Sequence, residues 1–185
     1  RLTGAPCMTR EARRPLQRLS ASLLGETRRD ALVVLPSATL TSAHVPGGIV
    51  LLGRDVVEAH EDAAVAAGMI LAERLRARLD DPLADLLDHA GLAATLRLLT
   101  TGDLPQARVA DYAEWRLARP AEPIPDAALL AAFDAAGVSS RAYAFARDVT
   151  GETVLPLIEG DPHPDGGRAV ITDADWVRLQ GICGG

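Results

Sequence analysis

Glu73 stands in Ala72-Glu73-Arg74-Leu75-Arg76, a carboxylate inside an apolar stretch of helical period. A carboxylate so placed can serve as a general base, ligate a cation or hold a guanidinium. Its neighbours narrow that choice. Ala72 has no donor atom, and Arg76 is a permanent cation that neither coordinates a metal nor sits comfortably beside one. The two-histidine zinc motif H-E-x-x-H occurs nowhere in the chain. The densest other group of possible ligands is Glu58, His60, Glu61 and Asp62. On a helix, the adjacent His60 and Glu61 point about 100° apart, so a site there needs another segment, for which His89 is the nearby candidate. Acidic residues also favour helix N-termini, and the group reads first as a solvated helix start. Asp161-Pro-His-Pro-Asp-Gly-Gly167 lacks the ligand spacing and terminal Glu of a calcium loop and reads as a solvated turn. No G-x-S-x-G elbow occurs, neither cysteine has a Cys/His catalytic setting, and no phosphate-loop pattern surrounds Gly47-Gly48.

The elements that must position Glu73 and Arg76 are legible in outline. Ala31–Ser37 is an apolar strand candidate, Ser42–Gly48 a turn containing Pro46, Gly47 and Gly48, and Ile49–Leu52 a second strand that includes Val50. A helix-period segment follows from Glu61 to Leu79, and Val65, Gly68, Met69, Ala72, Leu75 and Leu79 form an apolar stripe that Arg76 interrupts. An Arg in that stripe needs a carboxylate partner. Before the hairpin, Glu11 to Leu24 predicts a helix with Leu16, Leu19, Leu23 and Leu24 on one face, ended by Gly25. Beyond it, Asp81-Pro82 opens a helix running to about Leu99, Gly102 breaks it, and another spans Pro105 to Ala118. Pro120 to Pro125 is a linker, Asp126 caps a helix ending at Gly137, and Arg141 to Arg147 is a short helix. Thr153 to Ile158 is strand-like, and Asp173 to Gln180 is the last element. The fold class expected is α+β, a small N-terminal β-hairpin or sheet packed under five or six helices in a single domain, residues 1–185.

In this order, strand, Ser42-Ala-His-Val-Pro-Gly-Gly48, strand, helix, the segment resembles the HtpX-like and CAAX-endopeptidase-like zinc metallopeptidases, gluzincin-type enzymes whose pattern is strand, N-A-F-x-x-P-G-G, strand, helix and then H-E-x-x-H. The resemblance covers about residues 11–137, and residues 138–185 form a C-terminal extension of unknown role. It implies a zincin-like fold in which Glu73 keeps the general-base position while Ala72 and Arg76 stand where the two zinc-binding histidines belong. The family's third ligand, a downstream Glu, aligns with Val109 in Val109-Ala-Asp-Tyr-Ala-Glu114. Ser42 stands for the family's Asn, a small hydrogen-bonding substitute, and His44 for its Phe. Three non-ligands at three ligand positions imply a pseudo-enzyme with no catalytic residue and no metal.

Composition bounds the partners. With 48% hydrophobic but only 3% aromatic residues, the core must be built from Leu, Val, Ile and Ala, and aromatic platforms for single-stranded nucleic acid are not expected. A net charge of -6 repels phosphate backbones, and the basic run Arg10 to Arg18 reads as a solvated helix face. All 19 basic residues are Arg and Asn is absent, which with abundant Ala points to a GC-rich, bacterial genome. No stretch reaches the ~18 consecutive apolar residues of a membrane span. Cys7 and Cys183 either close a disulfide in an oxidising compartment or are two plain thiols; the exported, periplasmic setting is the one expected. The leading expectation is a catalytically silent domain that uses a groove beside Ile49 to Leu52 to bind protein or peptide, without a cofactor and without nucleic acid. The rivals are an active zinc endopeptidase with unorthodox ligands built around Glu73, and a helical interaction module with neither a hairpin nor a cleft.

Overall fold

Leu16, Leu19 and Leu23 recur at helical spacing, and a computed structural model, which describes residues 5–184 (the side chain of Leu117 excepted), buries all three on helix α1 (Arg13–Leu24). After a 3₁₀ turn at Glu26–Arg28 come strands β1 (Leu32–Leu35), β2 (Ser42–Val45) and β3 (Ile49–Gly53), then helices α2 (Arg54–Glu58) and α3 (Ala63–Leu79). Four helices follow: α4 (Pro82–Ala90), α5 (Leu92–Thr101), α6 (Gln106–Ala118) and α7 (Asp126–Ala136). The chain closes with α8 (Arg141–Arg147), α9 (Leu155–Glu159) and α10 (Asp173–Leu179). The class is α+β, a small sheet with a helical body, as expected; the described residues hold ten α-helices rather than five or six.

The sheet differs from the expected hairpin. Ser42–Val45 is a strand rather than part of a turn, so the hairpin is β2–β3, joined by Pro46-Gly47-Gly48. Gly47 and Gly48 take φ of 87° and 71°, values that side-chain-bearing residues rarely adopt. The apolar run at Ala31 pairs with β3 in parallel, Leu32 opposite Val50, giving the order β1-β3-β2. A short apolar run carries no signal of strand direction, and the parallel partner is chosen by where the chain returns. β3 is therefore the central strand, paired on both sides, and offers no free edge along Ile49 to Leu52.

α3 is the organising helix, packed against β2, β3, α7 and α8. Asp62 caps it by accepting from the Ala64 amide at 2.7 Å. Its first half is buried all round, from Val65 to Glu73, while Leu79 at its far end is 66% exposed and does not belong to the stripe. Gly68 lets α8 cross closely, since a Cβ there would lie 2.4 Å from the Tyr143 ring. Asp81 caps α4 as expected, accepting from the Leu83 and Ala84 amides, but the helix stops at Gly91 (φ 83°) and a separate α5 begins. Pro125 rather than Asp126 holds the cap position of α7. The expected strand over Thr153 to Ile158 is largely helix α9, because Pro156 fits a first helical turn, where no amide donor is needed.

Residues after 137 share the buried cluster of the rest: Tyr143, Leu157, Trp176, Leu179 and Ile182 pack with Leu19, Leu52, Ile70 and Phe133. Cys7 and Cys183 form a disulfide, with Cα atoms 4.6 Å apart across a separation of 176 residues. Beside it, the Cys7 amide donates to the Val34 carbonyl at 2.8 Å, covering part of the outer edge of β1. Asp161, expected in a solvated turn, is buried and accepts from the Ser139 hydroxyl at 2.6 Å and the Ser140 amide at 3.0 Å. No helix among the described residues is long and apolar enough to cross a membrane.

Candidate functional site

Strand alternation turns Ser42 and His44 to one face of β2, the face on which α3 lies. Helical spacing sets Glu73 and Arg76 one turn apart on α3. These four side chains meet. Glu73, only 2% exposed, accepts from the Ser42 hydroxyl at 2.7 Å, His44 Nδ1 at 2.8 Å and Arg76 Nη1 at 2.6 Å. Arg76 Nε donates to the Glu122 carbonyl at 2.9 Å, tying the segment between α6 and α7 to the same point. The carboxylate that Arg76 requires is thus Glu73 itself.

Two more charged groups complete the cluster. Arg116 of α6 places Nη2 3.1 Å from His44 Nε2 and 3.4 Å from Asp80 Oδ2. A guanidinium can only donate, so His44 Nε2 accepts and the ring proton sits on Nδ1, donated to Glu73. Asp80 Oδ2 lies 3.8 Å from the same Nε2. Arg116 Nε is, among the described residues, the buried side-chain polar atom left without a partner. Burial pushes the Glu73 carboxyl up, but the His44 hydrogen bond, the Arg76 charge and the Ser42 hydrogen bond outweigh it and hold it below its ordinary value.

A divalent cation does not fit this donor set. Both Glu73 oxygens are engaged, the groups nearest to it include the fixed cation Arg76, and Arg116 occupies the free nitrogen of His44. Ala72 is buried and offers no donor. Val109 shares a face of α6 with Arg116 but lies two turns away, about 10 Å along the axis, and is 43% exposed. Arg116 is the α6 residue that reaches the cluster. Among the described residues no three His, Cys, Asp or Glu side chains gather as a metal site. Glu58 accepts from the Cys183 amide and Asp62 caps α3. The His60 carbonyl accepts from Trp176 and Gln180, while His89 packs against Tyr112 and Trp115 between α4 and α6.

A cleft of about 520 Å³ opens beside the cluster, between Ser37–Ser42 on one wall and the segment 119–126 on the other. Arg76 and Ser42 line it, with buried Leu129, Tyr143 and Leu157 beneath. Pro46, Gly47, Gly48, Ile49 and Val50 do not line it; they form the far end of the hairpin and the central strand. β2 has no strand on its outer side, and its ladder with β3 runs through Thr41, whose carbonyl accepts from the Gly53 amide at 3.0 Å. Alternation then turns the amide and carbonyl of Ser42 and His44 away from β3, and no other backbone group bonds them among the described residues; His44 is buried, and Ser42 is the β2 residue that lines the cleft. The sequence singles out Glu73 and Arg76 and marks Ser42 and His44 only as substitutions in a turn; Asp80, Arg116 and the Glu122 carbonyl carry no local signal, since each arrives from a different part of the chain. Comparison with family models, curated proteins and solved structures finds no match to this chain.

Proposed function

We propose that the chain is a catalytically silent metallopeptidase-like domain that binds an extended segment of protein or peptide in the cleft beside Ser42, at the start of β2. One observation carries the binding half: Ser42, whose outward backbone groups are unpaired, lines the cleft of about 520 Å³. An extended peptide satisfies such groups by adding a strand, which needs no metal and little sequence specificity. The silent half rests on Glu73, which takes three hydrogen bonds, that from Arg76 also an ion pair, and has no oxygen free to activate water. The order of strand, hairpin and helix and the convergence of Ser42, Glu73 and Arg76 support descent from the metallopeptidases that the sequence resembles. A hairpin and a cleft also count against an unrelated helical module. The active-enzyme rival needs donors that the cluster does not offer.

The test is binding of a fluorescent extended peptide, measured by anisotropy, against the same peptide N-methylated at alternate residues. Strand addition predicts that methylation on the register facing β2 abolishes binding and that methylation on the other register leaves it intact. Equal binding of both forms would exclude pairing at this edge. Elemental mass spectrometry on protein purified without chelator or added metal accompanies it. About one zinc per chain would overturn the silent reading.

A further inference from the structure

The cleft that flanks β2 has its own electrostatic character. Two arginines line it, and each is held by an aromatic ring: the Arg119 guanidinium carbon lies 4.7 Å from the Trp115 ring centre, and that of Arg147 lies 5.6 Å from the Tyr143 ring centre. Neither forms an ion pair with a carboxylate among the described residues, whereas Arg76, the third arginine of the cleft, is committed to Glu73. Stacking engages the face of a guanidinium and leaves its edge donors pointing outward, ready for a bidentate carboxylate. Resting on the peptide-binding reading above, we infer that the cleft selects extended peptides carrying a single carboxylate side chain beside an apolar one. The apolar neighbour has the buried Leu129 and Leu157 to rest on. In an extended chain side chains alternate between faces, so one residue points to that floor while its neighbour reaches the arginine rim. Glu122 and Asp126 also line the cleft. They repel a polyanion, which limits the ligand to an isolated acid and separates this site from a general anion patch.

The probes are three fluorescein-labelled extended octapeptides, identical except for Glu, Gln or Lys at the centre, titrated by anisotropy into the full chain at low salt. The Glu peptide is expected to bind about tenfold more tightly than the Gln peptide, the scale of one charge-assisted hydrogen-bonded pair, and the Lys peptide more weakly than either. In the Arg119→Gln/Arg147→Gln double variant the Glu preference disappears while the Gln peptide binds as before. Both arginines are exposed, and an unchanged melting temperature confirms that the variant folds. Equal affinity for Glu and Gln peptides, or a preference that survives the double substitution, overturns the selectivity but leaves strand addition standing. Failure of all three peptides to bind overturns the peptide-binding reading and the selectivity together.

Discussion

Arg76 is the residue on which the interpretation of the site turns. A cation one turn from Glu73, with the pair only 12% and 2% exposed, makes the carboxylate a structural anchor. Removing the cation leaves a buried charge uncompensated, so Arg76→Ala is expected to cost about 3 kcal/mol, read as a fall in melting temperature. An unchanged melting temperature would show that the pair is not desolvated. The acid dependence follows from Glu73. Because its folded-state carboxyl titrates below its ordinary value of 4.5, its contribution to stability is complete above that pH and is lost as pH falls through the lower folded value. Glu73→Gln should therefore flatten the acid limb of the stability profile below about pH 4.5 in chemical denaturation. An acid limb as steep as that of the wild type would assign it to other carboxylates, of which buried Asp161 and Asp175, both also held low, are the first to examine.

At the scale of elements, the site exists because β2, α3 and α6 converge, and α3 can lie where it does only because α8 crosses it at Gly68. A methyl group there meets the Tyr143 ring at 2.4 Å. Ala gains up to about 1 kcal/mol in helix propensity over Gly, whereas overpacking a core costs about 1–3 kcal/mol. Gly68→Ala should thus destabilise, and a second change, Tyr143→Leu, should recover part of the loss. Additive losses in the double variant would show that the crossing is not what excludes the methyl. The same scale shows what was legible. α3 and its Asp62 cap, the Asp81 cap of α4 and the Pro46-Gly47-Gly48 turn follow from periodicity, capping and glycine chemistry, which are local. The parallel pairing of β1 was not legible, because Leu32–Leu35 looks the same from either direction. Ser42–Val45 reads in the sequence as part of the turn because its four residues are too short to show alternation, although it is the strand that carries two of the cluster's six side chains.

At the scale of the molecule, the first and last described segments are joined by Cys7–Cys183, next to further ties from Arg18 to Asp175 and from Trp176 and Gln180 to the His60 carbonyl. Closing a loop of 176 residues stabilises by about 5 kcal/mol on the chain-entropy account. Cys7→Ser, Cys183→Ser and the double variant should lose the same amount as each other, and a reducing agent should bring the wild type to their melting temperature. Insensitivity to reductant would mean that the bond contributes nothing the packing of α10 does not already supply.

What the sequence by itself determined is local. The helix periods, the caps, the glycine turn, the want of metal donors at residues 72 and 76, and the need of Arg76 for a carboxylate all depend on neighbours a few positions away, where geometry is set by the backbone. The tertiary structure alone decided that Glu73 is that partner rather than a remote acid and that Ser42 and His44 share it. It also brought Arg116 to His44 across 72 residues, set β3 between β1 and β2, and joined Cys7 to Cys183. Those outcomes depend on which surfaces of distant segments bury against one another, a global minimisation that leaves no periodic trace along the chain.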